Sequence, residues 1–304
     1  MLDVKNKTAI ITGAGSGINL AFATLLLSHG CSVLIADLSL TAPAQALLSA
    51  SHPHGARVLF KHCDVSSWAD LSSLLPYCQT HLSSADIVVT GAGIFEPEWS
   101  SFFWGSESDS DSRYKTLDVN LVHPIKLTRL AISSFISSRK SRAVVLHISS
   151  ISGQTPKLSA PIYTAAKHGI NGFVRSFSRL EAEMGIRVVA VAPGVVRTPL
   201  FLDNPEKLQM IDEERDTWTT PEEVAEAMLM CVSTMDVRGG EILECGHGYT
   251  RKVDMFMDPG PPSKDGTRGC SLAKTHLLDD QAMQVLVRER EAAEKAAAEG
   301  KAEV

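Results

Sequence analysis

The chain has 304 residues, of which 44% are hydrophobic, and a formal net charge of −6. That length fits one α/β domain of roughly 250 residues with an extension as well as it fits two average domains, and the apolar share is that of a folded chain rather than a disordered one. An acidic balance without a concentrated basic face argues against nucleic acid as the main partner, and no apolar run approaches the roughly 20 residues that span a bilayer.

In chain order, Met1–Lys7 carries no hydrophobic leader, so export is not expected. Thr8–Thr12 is a short apolar strand that ends in glycines, and Ile18–His29 has helical periodicity up to Gly30. Ser32–Ala36 is a second strand ending at Asp37. A helix over Pro43–Ala50 leads to the strand Arg57–Lys61, and a helix over Ser67–His81 to the strand Asp86–Thr90. Arg113–Ser138 is helical and leads to the strand Ala143–Ile148; Tyr163–Met184 is helical and leads to Arg187–Val191. A last helix, Pro221–Cys231, has Thr220 as N-cap, proline at its first position and two glutamates in its first turn, and feeds Glu241–Leu243. Strands this apolar are buried on both faces, and crossover helices make them parallel. The expected fold is α/β, a Rossmann-type doubly wound sheet with helices on both faces over residues 1–250. Residues 251–304 form an extension: a Pro/Gly-rich linker (Asp258–Gly269), then a helix carrying a Glu291–Lys295 pair, either a solvated appendage or packed on a neighbouring subunit. The six cysteines (31, 63, 78, 231, 245 and 270) make neither a CxxC pair nor a metal-ligand cluster. They read as ordinary thiols of a reducing compartment, the cytosol, with no metal site.

The turn Thr12-Gly13-Ala14-Gly15-Ser16-Gly17-Ile18 joins the first strand to the first helix. Glycines there let the backbone approach a pyrophosphate, which meets the free N–H groups and positive dipole end of the helix. Asp37 follows 20 residues after Gly17, at the end of the second strand, where a carboxylate accepts the adenosine ribose hydroxyls. A 2′-phosphate would be repelled there, and neither Ser16 nor Leu38–Thr41 supplies a cation, so the expected cofactor is NAD rather than NADP.

Tyr163 and Lys167 lie four residues apart on one helix face. A free phenol, with a pKa near 10, is a poor base at neutral pH. A neighbouring ammonium and the positive ring of an oxidised nicotinamide favour its ionised form and fit it to take an alcohol proton.

With these motifs in this order, residues 5–250 resemble the short-chain dehydrogenase/reductase family. Thr12–Ile18 is similar to its glycine turn, Asp64-Val65 to its adenine contact, and Gly91-Ala92-Gly93 to the end of its NNAG motif. Asn120 matches the helix asparagine that holds a relay water. Ser150, 13 residues before Tyr163, matches the serine that binds the substrate oxygen. Pro193-Gly194-Val195-Val196-Arg197-Thr198 resembles the segment whose backbone and threonine bind the carboxamide. The resemblance implies that Ser150 and Tyr163 hold the substrate oxygen, that Tyr163 takes the proton, and that Lys167 binds the nicotinamide ribose and passes the proton through water toward Asn120. It also implies a homodimer or homotetramer formed through the Asn120 and Tyr163 helices. The GINL run and aromatic loop are similar to those of fungal natural-product dehydrogenases.

Two motifs depart from the pattern. Asn19 replaces the third glycine, where it either hydrogen-bonds the pyrophosphate or faces solvent. Thr90 and Gly91 replace the two asparagines that brace neighbouring strands. His147 is expected to be a packed histidine rather than a second base. The loop Glu96–Ser112, with Trp99, Phe102, Phe103 and Trp104, either lines an apolar substrate pocket or caps the core. Pro199–Thr219 is expected to be a lid, poorly ordered without substrate. The expected activity is NAD-linked transfer of hydride between nicotinamide and a secondary alcohol or ketone on a bulky, largely apolar molecule. A non-redox isomerase or cyclase, and a cofactor sensor without turnover, are the alternatives the fold leaves open.

Overall fold

A computed structural model describes residues 2–104, 114–255 and 275–302. The strands are β1 (Thr8–Thr12), β2 (Ser32–Asp37), β3 (Val58–His62), β4 (Ile87–Thr90), β5 (Ala143–Ile148), β6 (Ile186–Pro193), β7 (Ile242–Gly246) and β8 (Tyr249–Lys252). They form one sheet in the order 3-2-1-4-5-6-7-8. The first seven are parallel, and β8 returns antiparallel beside β7. The helices are α1 (Gly17–Ser28), α2 (Ala42–Ser49), α3 (Trp68–His81), α4 (Lys115–Leu117), α5 (His123–Ser137), α6 (Pro161–Arg175), α7 (Leu180–Met184), α8 (Pro199–Leu202), α9 (Pro205–Leu208), α10 (Pro221–Ser233) and α11 (Thr275–Ala302).

Period-two alternation along the strands feeds two cores. Ala9, Ile11, Val144 and Leu146 face α1 and α10, while Ile10, Ala143 and Val145 face α3, α5 and α6. The chain leaves β1 in one direction toward β2 and crosses to the other side at β4. The carboxyl ends of β1 and β4 therefore border the crevice where doubly wound sheets bind ligands.

Four expectations need correction. The last strand was not foreseen: β8 is four exposed residues, Tyr-Thr-Arg-Lys, with none of the apolar content that marks the others. Its charges suit an edge, and the domain boundary at 250 cuts through it. The single helix over 113–138 is α4, a π-helical turn (Asp118–Val122) and α5. Pro124, in the first turn of α5, has no N–H to continue an α-helical ladder. The helix over 163–184 begins at Pro161, stops at Arg175 and resumes as α7. The C-terminal helix is not a solvated appendage. Met283, Leu286 and Val287 pack against the second core, Arg129 of α5 pairs with Glu289, Arg179 pairs with Asp280, and Arg290 donates to the Met184 carbonyl. Lys295 pairs with Glu299 rather than Glu291. The Asp258–Gly269 linker, Cys270 and the Ser/Asp-rich run at 105–112 lie outside the described residues. The other five cysteines are buried. No described helix is long and apolar enough to cross a membrane.

Candidate active site

One cavity of about 460 Å³ runs along the carboxyl ends of the strands. At one end lie Gly13, Ser16, Gly17 and Ile18, with Asp37, Asp64 and Val65; Gly91, Ala92 and Gly93 border its middle, and Pro193, Gly194, Val196 and Thr198 its opposite wall. Gly15 does not line it; its N–H donates to Asp37 Oδ2 at 2.7 Å and so fixes the carboxylate. Gly17 has φ of +58°, a conformation L side chains rarely adopt. Ser16, the N-cap of α1, makes no side-chain cap bond, and the first turn holds no acid. The helix terminus therefore presents free N–H groups and a positive potential to an anion. Among the described residues no arginine lines the cavity. Lys115 at this end is engaged by Ser66 and by Asp64, 3.6 Å away. The Ser66 hydrogen bonds, with help from Lys115, hold the Asp64 carboxyl below its ordinary range. These residues fit NAD and offer nothing to a 2′-phosphate. No group of three His, Cys, Asp or Glu able to hold a metal occurs among the described residues.

The two departures from the family pattern resolve into one arrangement. Asn19 lines the cavity and does not simply face solvent: it is 7% exposed, and its Nδ2 donates to the carbonyls of Gly91 (2.9 Å) and Gly13 (3.3 Å). A Cβ on Gly91 would lie 2.3 Å from Asn19 Oδ1. The amide missing from the end of β4 is thus supplied from α1. Further bracing comes from threonine–histidine pairs. The Thr128 hydroxyl donates to the Pro124 carbonyl, so it accepts from His147 Nε2, and His147 Nδ1 accepts from Thr90. Thr12 Oγ1 accepts the Gly91 N–H and meets His123 Nε2 at 3.1 Å. Burial pushes His147 down to about 3 and His123 to about 4, so both are neutral.

The cavity also brings Ser150, Tyr163 and Lys167 together. The turn after β5 carries Ser150, whose Oγ accepts the Ser152 N–H. Asn171, one helical turn beyond Lys167, clamps that turn through Ser149 Oγ (2.6 Å) and the Gly153 carbonyl (2.8 Å). Lys167 Nζ sits 5.4 Å from the Tyr163 ring centre and donates to the Ile148 carbonyl at 2.7 Å. Burial pushes the Lys167 ammonium down to about 8 and the Tyr163 phenol up to about 12, the latter opposed by the Ser150 hydroxyl. In the protein alone, desolvation therefore outweighs the expected help from Lys167. Asn120 does not itself line the cavity. Its side chain grips Ile94 from both sides, accepting from the N–H at 3.0 Å and donating to the carbonyl at 2.7 Å.

Several residues of the site went unread in the sequence. Phe95 packs edge-on to Tyr163 with centroids 4.7 Å apart, and Leu200 and Phe201 close over the same cluster. The buried Glu96, at φ +39°, accepts the Tyr163 N–H at 2.9 Å through Oε2 and the Phe102 N–H at 3.1 Å through Oε1. Its position three residues past Gly93 and beside the aromatic run was the available signal. Of the four loop aromatics only Trp99 lines the cavity. Phe102, Phe103 and Trp104 are exposed, with Phe103 meeting each of the other two edge-on. The segment expected to be a lid, Pro199–Thr219, begins with the short helices α8 and α9.

A sequence model of the short chain dehydrogenases matches residues 7–209. The chain is 33% identical to the NAD(+) 15-hydroxyprostaglandin dehydrogenase of Mus musculus over 224 residues, 71% of this chain and 77% of the relative. It is 33% identical to the cis-4-hydroxycyclohexanecarboxylate dehydrogenase of Sinomonas cyclohexanicum over 250 residues, 80% and 96% of the two chains. It is 30% identical to the D-beta-hydroxybutyrate dehydrogenase of Cupriavidus necator over 206 residues, 65% and 73%. A Rossmann-type sheet with a nucleotide crevice and a Ser/Tyr/Lys cluster at its far end defines an oxidoreductase, and this chain belongs to the short chain dehydrogenase family.

Proposed function

We propose that the protein oxidises a secondary alcohol on a bulky, largely apolar substrate, or reduces the matching ketone, with NAD as its cofactor. The observation that carries this reading is that the Ser150 hydroxyl, the Tyr163 phenol and the Lys167 ammonium share one cavity with the glycine turn and Asp37. Bound NAD supplies the hydride acceptor and a positive charge. Ser150 and Tyr163 hold the substrate oxygen, and Tyr163 takes the hydroxyl proton. A phenol near 12 is too basic to give up its own proton at neutral pH, so the Lys167 ammonium and a cationic neighbour must lower it. Lys167 hands the proton on through water, past Asn120, to bulk solvent. Phe95, Trp99, Leu200 and Phe201 give the substrate end its apolar wall. The three relatives, all named for action on hydroxylated compounds, support the same direction.

The test is NADH absorbance with a panel of secondary alcohols, comparing the wild type with Tyr163→Phe. Turnover should fall by at least ~100-fold in the variant while NAD binding persists. Tight NAD binding with no turnover of any alcohol or ketone by the wild type would favour a cofactor sensor instead.

A further inference from the structure

The wall beside the phenol is apolar, yet two ammonium groups converge on it. Lys157, on the loop before α6, lines the cavity, and its Nζ stands 5.6 Å from the centre of the Phe95 ring. Lys207 of α9 reaches the same ring from the lid, with Nζ at 5.0 Å, and donates to the Glu96 carbonyl at 3.3 Å. Phe95 in turn packs on Tyr163, so a single ring separates each cation from the phenol. Both lysines are half-buried, and neither forms an ion pair with a carboxylate among the described residues. Asp216 is near enough to favour the charge on Lys157. Burial and the Lys207 ammonium act against it and hold Lys157 below its ordinary range. Two like charges kept together and partly desolvated cost free energy, and the ring face recovers only part of it. An anion between them would relieve the repulsion and complete their hydrogen bonding.

We propose that Lys157 and Lys207 bind the carboxylate of the substrate, which makes the preferred substrate an apolar hydroxy acid rather than a neutral alcohol. This rests on the dehydrogenase reading of the same cavity. A carboxylate suits the site better than a phosphate. Two lysine point charges serve either anion, but the surrounding wall of Phe95, Leu200 and Phe201 would strip water from a dianion at greater cost. Since Lys207 belongs to the lid, the same anion would draw α9 toward Lys157 and close the cavity over the reacting carbon.

The test uses the full chain saturated with NAD and reads the part of the tryptophan quenching that Trp99→Phe removes, on titration with octanoate, octanamide and octyl phosphate. Octanoate should bind ~10–100-fold more tightly than octanamide. The double variant Lys157→Met/Lys207→Met should erase that ratio, and Lys157→Arg, which keeps the charge, should retain most of it. Equal binding of acid and amide, or no binding of either, overturns the proposal. Tighter binding of octyl phosphate than of octanoate overturns the carboxylate assignment. Wild-type oxidation of the uncharged 2-octanol reports the dehydrogenase reading separately. Turnover of 2-octanol without acid preference sinks only the anion site. Acid preference without turnover of any alcohol leaves the anion site and sinks the dehydrogenase.

Discussion

The carboxylate of Glu96 accepts the backbone N–H of Tyr163 at 2.9 Å although the two residues are 67 apart in sequence. Tyr163 lies in the first turn of α6, which begins at Pro161 and has no side-chain cap of its own. Glu96 therefore acts as a cap supplied from another loop, placing a negative charge at the positive end of the helix that carries the phenol. It does so from a left-handed backbone conformation that a non-glycine residue adopts at a cost of about 1–3 kcal/mol.

Glu96→Gln keeps the shape and removes the charge. We expect a stability loss of about 1–2 kcal/mol and a fall in kcat on the order of 10-fold as the phenol loses its fixed position, with NAD affinity unchanged. The pH profile of kcat/KM separates positioning from simple stabilisation. An unchanged profile and kcat, alongside a lowered melting temperature, would make Glu96 a structural cap only.

The raised pKa of Tyr163 gives a signed pH dependence. Its folded value is about 12 against 10.0 for the free group. The folded state therefore binds the extra proton between those values, and the stability this contributes is full below pH 10 and lost as pH rises toward 12. Tyrosinate absorbance should show one of the four tyrosines ionising near the upper value. Tyr163→Phe should remove that component, and NAD should move it downward. A component left in place by the substitution would show that Tyr163 titrates elsewhere.

Asn19 and Gly91 should behave as one unit. Gly91→Ala drives a methyl to within 2.3 Å of Asn19 Oδ1 and should destabilise the fold by about 1–3 kcal/mol. Asn19→Gly in the same chain should recover part of that loss. A double-mutant cycle on urea unfolding should give a coupling of about 1 kcal/mol or more. Strict additivity would mean the contact carries no energy.

Removing residues 256–304 strips Met283, Leu286 and Val287 from α5 and its neighbours. Each such side chain contributes about 1.5–3 kcal/mol when fully buried. The truncated chain should melt roughly 5 °C lower or more, by calorimetry at a fixed protein concentration. Glu289→Ala, which cuts an exposed ion pair with Arg129, should cost no more than about 1 kcal/mol. A truncation that leaves the melting curve in place would return α11 to the status of an appendage.

The parallel strands were legible because each is an apolar run between turn residues, and the nucleotide end because glycines and Asp37 sit at a spacing the chemistry demands. Tyr163 and Lys167 were legible for the same reason: both lie on one helix, so their distance is set by the helical repeat. What could not be read came from long-range packing. Glu96 meets Tyr163, and Lys157 and Lys207 reach the same Phe95 ring, only after the sheet has brought distant loops together. β8 escaped because an exposed edge strand needs no apolar signature. The docking of α11 escaped because Met283, Leu286 and Val287 make a sparse stripe in an otherwise charged helix.

The Asn19–Gly91 contact also constrains the history of the chain. An amide on residue 91 has no room while Asn19 is present, and a glycine at 19 leaves the Gly91 carbonyl without its donor. Either position changed alone passes through a less stable protein, so the two residues are expected to be inherited together. A comparison that scores each position separately counts two defects in the nucleotide fingerprint, where the folded chain has one relocated side chain.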